Sequence, residues 1–337
     1  MVPFIVRRLL WAIPVLFVVA LVTFVLMHLA PGGPFDRDDN RKQVDPATVR
    51  ALNARFGLTK PPYVNSAALH ALWEQGERNP FRLGRAWLDG QFFDYLINAS
   101  HGDLGPSYRE RSKDVQDILR AQWPYSLRLG LVAFAVAVLG GIPLGVLAAL
   151  KQNSLIDYVS LFLATVGVSV PSFVTGLLVI ILFGTKLGWI AIATNNWTTW
   201  PPYLAPGLVL GFGSMSFITR ITRTTMLEVK HQEYIRTAYA KGLEDFRIVT
   251  RHMLRNALIP VVTLLGPELV NLVVGATIIE AIFGIPGIGK YFVDAIGERD
   301  YSMIMGTTLV YAALIVLANL LVDLSYGFLD PRIRQQR

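Results

Sequence analysis

Glu268 and Asn271 stand three residues apart in an apolar stretch, so a helix there puts both on one face together with Gly275. A carboxylate inside a membrane-length apolar helix is costly, and such groups face a polar path or a partner rather than lipid. Glu280 follows near the end of the same stretch. Asn319 and Asp323, four apart, share a face of the last apolar run. These groups could line a translocation path or hydrogen-bond between helices, and Glu268, Asn271 and Asn319 are the path candidates. They are too few for a proton relay.

The run Gly284-Ile-Pro-Gly-Ile-Gly-Lys290-Tyr291 falls one residue short of a phosphate loop, because Tyr291 stands where that loop needs a Ser or Thr hydroxyl for magnesium. No strand–helix unit surrounds it, so a Gly/Pro-rich turn is expected, and no nucleotide site on this chain. The five histidines have no metal-ligand spacing, and no serine sits in a GxSxG elbow. Cysteine is absent, which removes disulfides, thiolate metal sites and cysteine nucleophiles.

A third kind of chemistry, recognition by another protein, is suggested by Glu233–Pro260, EYIRTAYAKGLEDFRIVTRHMLRNALIP. Eight Lys/Arg lie between Arg220 and Arg255 against four acids, all between two long apolar runs. Glu233–Lys241 reads as a short helix with small residues at Thr237, Ala238 and Ala240, which let a partner's groove approach the backbone; Gly242 stops it. A second helix is expected over 244–256, with Glu244 and Asp245 at its positive end. Phe246, Val249 and Met253 form its apolar stripe and Arg247, Arg251 and Arg255 a basic row. That row could also meet anionic lipid headgroups. The helix–Gly–helix shape as a whole points to a protein dock.

The elements that must position these groups are membrane helices. With 337 residues, 53% of them hydrophobic and only 16% charged, the chain is too apolar for an ordinary soluble protein. Six apolar runs reach the ~20 residues that a bilayer requires: 9–29, 127–149, 158–184, 203–219, 257–283 and 307–329. Pro206, Gly207, Gly211 and Gly213 weaken the fourth as a helix. Gly141-Ile-Pro-Leu-Gly145, and Gly167, Pro171 and Gly176, mark helices that pack closely on neighbours. The 30–125 connection opens with turn-formers and contains short helices at 46–56 and 109–122, too little for an independent enzyme domain. The expected organisation is a first helix at 1–30, a loop or cap at 31–125, a five-helix core at 126–330 that includes the polar loop 220–256, and a tail at 331–337.

Net charge is +7, but its distribution is a topology signal and not a nucleic-acid footprint. Arg7, Arg8, Lys151, the eight basic residues of the polar loop, Arg332, Arg334 and Arg337 make fourteen on one side. The short connections on the other hold only Lys186, Lys290 and Arg299. Both termini and the loop at 220–256 are therefore expected in the cytoplasm, with 30–125 outside. Leu9–Leu29 is longer than a signal-peptide core of about 7–15 residues, so it is expected to be retained.

Residues 236–263 resemble the coupling loop of the permeases of ABC importers, in the dipeptide/oligopeptide and nickel branch. Arg236-Thr237-Ala238 stand where the general signature has Glu-Ala-Ala, and Gly242 is its glycine; the departure at Arg236 removes the signature's glutamate. Other matches follow in order along the chain: RRLLWAIPVLFVVALVTFVLMHLAPGGP, Arg55-Phe-Gly-Leu58, Gly102-Asp-Leu-Gly105 with Ser107, Ile142–Ala148, Val170-Pro-Ser-Phe173, Glu280–Gly289 and Leu329–Ile333. The stretch 63–100 carries no such motif.

The resemblance implies an all-α polytopic membrane protein of the type I importer fold: six transmembrane helices, with an extracytoplasmic insertion of ~95 residues after the first. It implies a "B"-type subunit in a prokaryotic cytoplasmic membrane, working with a second related permease, two cytoplasmic ATPases and an external substrate-binding protein. The chain itself would be no enzyme and hold no cofactor, ATP and Mg belonging to the ATPases. Glu233, Arg236, Thr237, Ala238, Lys241, Gly242, Leu243 and Phe246 would couple ATP-driven closure to alternating access. Peptides are the expected cargo; nickel chelates, opines and sugars are carried by the same branch. An ion-coupled transporter or channel is the competing class. It predicts inverted repeats and paired buried charges, neither of which is evident.

Overall fold

The computed structural model describes residues 2–36, 45–110, 112–190 and 196–329. The expected tail at 331–337 and the Asp323 side chain lie outside this description. Among the described residues the chain is helical, with no β-strand and one isolated antiparallel bridge between Pro106 and Asp114. In order, the helices are α1 (Val2–Leu29), α2 (Pro46–Arg55), α3 (Ser66–Glu74), α4 (Pro80–Trp87), α5 (Gln91–Ser100), α6 (Val115–Leu150) and α7 (Leu155–Ser169). Then come α8 (Ser172–Val179), which widens into a π-helix at Ile180–Lys186, α9 (Leu204–Lys230), α10 (Glu233–Ala240), α11 (Asp245–Val274), α12 (Thr277–Phe283), α13 (Ile288–Glu298) and α14 (Tyr301–Leu329).

Five of these helices are long and apolar enough to cross a membrane, and α7 with α8 makes a sixth if the pair is one span. The third expected span is thus not straight. It bends by 103° at Val170–Pro171, because Pro171 has no N–H to donate and pushes Val170 into an extended conformation (φ −88°, ψ 121°). The fourth is a continuous helix despite its glycines. The fifth starts earlier than expected, since the polar helix of 245–256 runs straight into it, and it stops at Val274. Pro124 does not interrupt α6.

Contacts group the chain into two compact units, 1–121 with 291–312 and 122–290 with 313–337. In the first, Asp300 is the organising side chain. It is 3% exposed, and one carboxylate oxygen accepts from Ser107 Oγ (2.5 Å) and from the backbone N–H groups of Tyr108 (3.0 Å) and Arg109 (3.2 Å). The other accepts from Met303 N–H at 3.1 Å and so caps α14. Burial pushes the neighbouring Tyr108 phenol up to about 12. Phe24 of α1 packs on Tyr63 and on Phe92, which is 1% exposed. The uncharacterised stretch 63–100 consists of α3, α4 and α5, with Asn65 and Asn79 capping the first two.

In the second unit α6 and α9 meet backbone to backbone. A Cβ on Gly141 would lie 2.8 Å from the Met215 carbonyl oxygen, and one on Gly145 2.6 Å from that of Thr219. From the opposite side, a Cβ on Gly207 would strike Val132, and one on Gly211 would lie 2.5 Å from the Ala133 oxygen. The glycines that weaken α9 as an isolated helix are therefore its packing surface, where small residues let helices come close.

Candidate functional site

The first candidate is the elbow α10–Gly242–α11. Gln232 precedes α10 in an extended conformation and Glu233 stands in the first turn, where a carboxylate suits the helix dipole. Two residues of this short helix are buried, Ile235 (0% exposed) and Ala238 (6%). They pack with Ala149, Met226, Ile248, Met253 and Ala257 in one apolar cluster. Burying an Ile side chain is worth about 1.5–3 kcal/mol, enough to seat a helix that would not form alone. Tyr234 Oη accepts from Asn256 Nδ2 at 2.8 Å and ties α10 to α11.

The helix ends in a Schellman turn. Gly242 adopts φ +73°, its N–H donates to the Tyr239 carbonyl (2.9 Å), and Leu243 N–H reaches back to the Ala238 carbonyl (3.3 Å). Glu233, Arg236, Thr237, Tyr239, Lys241, Gly242 and Phe246 are exposed, Phe246 at 78%. Ala238 and Leu243 belong instead to the inner face, where they hold the elbow down. Ala238 is thus no part of an outward surface: the small residue is needed for the cluster beneath the helix.

The apolar stripe of α11 also differs from the 3–4 spacing. Residues Ile248–Met253 form a π-helix, with i→i+5 hydrogen bonds, so Ile248 and Met253 share the buried face and Phe246 turns outward. Arg247, Arg251 and Arg255 remain exposed.

Beside the elbow, sequence reasoning missed a buried ion pair. Asp157 (1% exposed) accepts from Arg223 Nε at 2.6 Å and from a second guanidinium nitrogen at 2.8 Å, joining α7 to α9. Asn153 N–H donates to the same carboxylate at 2.9 Å. The signal was an acid at the very start of an apolar run, but its partner is 66 residues away.

The second candidate is a cavity of about 400 Å³ among α7, α8, α9 and α11. Glu268 and Asn271 both line it, as the i, i+3 spacing implies, and so do Ser172 and Thr175 past the bend at Pro171. Ser214 Oγ, from α9, donates to the Glu268 carboxylate. Asn319 is not in this lining; it is exposed on α14.

The phosphate-loop look-alike is already filled. Gly289 N–H (2.7 Å) and Lys290 N–H (3.2 Å), at the start of α13, donate to Glu280, a carboxylate with no exposed surface. A Cβ on Gly287 would collide with that carboxylate, and one on Gly289 would lie 2.7 Å from Thr277 Oγ1. The glycines make room for the chain's own anion in the place where a phosphate loop holds a nucleotide's.

Comparison with known proteins gives a consistent answer. The family model described as "Binding-protein-dependent transport system inner membrane component" matches residues 141–335. The dipeptide transport system permease protein DppB of Bacillus subtilis (strain 168) is 39% identical over 325 residues, covering 96% of each chain. The oligopeptide transport system permease protein OppB of Haemophilus influenzae is 38% identical over 334 residues, 99% of this chain and 100% of that one. OppB of Escherichia coli (strain K12) is 37% identical over the same length. Among solved structures, a chain of the MetNI methionine ABC transporter in an inward-facing conformation shares the fold, with a TM-score of 0.51 at 21% identity, over 63% of this chain and 96% of that one. A chain of an amino acid ABC transporter with histidines also has a TM-score of 0.51, at 16% identity, over 68% and 96%.

Proposed function

Since this chain belongs to the family of binding-protein-dependent transport system inner membrane components, we propose that it is the permease subunit of an ATP-driven importer of di- or oligopeptides. Separate ATPase subunits hydrolyse ATP, and a second, related permease completes the path through the membrane. An external binding protein delivers the peptide to the outer face, formed in part by 31–125. Both termini and the elbow lie in the cytoplasm, as the excess of Lys and Arg on that side supports.

The observation that carries the proposal is the construction of α10. Ile235 and Ala238 fasten it to the ends of α6, α9 and α11, while Arg236, Thr237, Tyr239 and Lys241 face outward. A helix so mounted transmits a push from an ATPase groove into three membrane helices at once. The core domain 126–330 then alternates between inward- and outward-open states, with Glu268 and Asn271 on the path; Asn319 contributes from the exposed face of α14. The peptide cargo is supported by relatives named for dipeptide and oligopeptide transport.

The test is purification of the chain in mild detergent after co-expression with the ATPases and permease encoded beside it. The expected result is a complex whose ATPase activity rises with peptide-loaded binding protein. A chain that purifies alone and still transports in vesicles overturns the proposal.

A further inference from the structure

We propose that the Glu268 cavity is a transit site for a primary ammonium group of the solute, an inference that rests on the peptide-importer reading. The carboxylate lies within the apolar part of α11, six residues before the helix ends at Val274. An ionised group at the centre of a membrane helix costs about 2.5–3.5 kcal/mol on insertion scales and persists where a partner or a function compensates. Here the partner within the chain is slight. Ser214 Oγ is the one hydrogen-bond donor to the Glu268 carboxylate among the described residues, and the cavity lining contains no Lys, Arg or His. Asp157, by contrast, has its arginine, and Glu280 its two backbone N–H groups. Glu268 lines a cavity and, unlike the other two, lacks a compensating donor set.

The ligand class follows from the remaining lining. A volume of about 400 Å³ lies at the lower end of small-ligand sites. Phe212 and Phe217 give apolar walls, and Asn271 and Thr175 add neutral polar atoms. One carboxylate with neutral oxygens suits an ammonium group, with its three donors. A calcium or magnesium ion needs six or more oxygens, and no group of three His, Cys, Asp or Glu side chains that could hold a metal ion occurs among the described residues. Peptides of any sequence share an α-ammonium group, so a single carboxylate serves solutes whose side chains differ. A single weak contact also lets the solute leave again.

The test uses the purified complex of both permeases and ATPases without binding protein, so that the binding protein's selectivity does not enter. Equilibrium dialysis compares Ala-Ala-Ala, N-acetyl-Ala-Ala-Ala and N-acetyl-Ala-Lys-Ala on the wild-type complex and on Glu268→Gln and Glu268→Asp. Retention of Ala-Ala-Ala at least about tenfold above its acetylated form, lost in Glu268→Gln and kept in Glu268→Asp, supports the proposal and assigns the α-ammonium. Preferential retention of the lysine peptide supports it with the side-chain ammonium as the source. Equal retention of all three overturns it, even if Glu268→Gln fails to assemble, because that comparison needs only the wild type. Uptake of all three by wild-type proteoliposomes together with equal retention leaves the importer reading standing and removes this one. Failure of the wild type to import any peptide removes both.

Discussion

Two side chains, Asp157 and Arg223, join α7 to α9 through a bidentate contact in which the acid is 1% and the base 18% exposed. Removing one partner of such a pair strands a charge, at a cost of about 3–5 kcal/mol, whereas replacing both with neutral groups of similar size can be nearly neutral. Arg223→Ala should therefore lower the melting point of the purified complex far more than the double variant Asp157→Asn/Arg223→Met does. Equal losses would show that packing and not charge sets the cost. On the outer segment Lys60 donates to Asp89 (2.7 Å) and Asp94 (2.6 Å). These hydrogen bonds, Asp89's first, raise its pKa above 10.5. A raised folded-state value means that the contribution to stability is complete below pH 10.5 and is lost as pH rises through the raised value. The melting-point difference between wild type and Lys60→Met should stay constant from neutral to about pH 10 and shrink above it.

In the proposed mechanism the elbow carries the coupling. Gly242 has φ +73° and nothing within 4 Å of a would-be Cβ, so a substitution meets only backbone strain. Gly242→Ala should cost about 1–2 kcal/mol, and Gly242→Asn less, because Asn visits the left-handed region more readily. Arg236→Trp, a bulky side chain on the exposed face, should leave the melting point unchanged while abolishing the rise in ATPase activity caused by loaded binding protein. Ala238→Glu should instead destabilise the whole elbow, because it drives a charge into the cluster of Ile235, Met226 and Met253. Equal melting points for the Arg236 and Ala238 variants would contradict the inner and outer faces assigned to α10. The existence and length of α10, and Gly242 as its stop, were legible from small residues followed by a glycine. Which face looks inward was not, because Ile235 and Ala238 are buried by residues far along the chain at Ala149 and Met226. The π-turn at 248–253 was equally hidden, since sequence periodicity assumes a regular helix.

For the whole molecule the decisive question is sidedness. The absence of cysteine makes it directly measurable, since any introduced thiol is the only one. In intact cells a membrane-impermeant maleimide should label Phe81→Cys, on a residue 85% exposed in α4. It should leave Lys241→Cys unlabelled until the membrane is opened. The reverse pattern would invert the orientation read from the Lys and Arg of the connections.

Sequence alone determined that this is a polytopic helical membrane protein, where its apolar runs lie, and that one polar elbow separates two of them. Those conclusions rest on composition, run length and local spacing, which a bilayer constrains strongly because every spanning backbone must satisfy its own hydrogen bonds. Only the tertiary structure decided what each polar group inside or beside the spans does. Asp157 finds an arginine 66 residues away, Glu280 fills the glycine cradle that imitates a phosphate loop, and Asp300 gathers the loop at Ser107. Glu268 is left facing a cavity with a lone serine. Four acids near membrane segments look alike along the chain. They differ only in partners that folding brings from distant positions, and in a low-dielectric interior that partner sets the role of each.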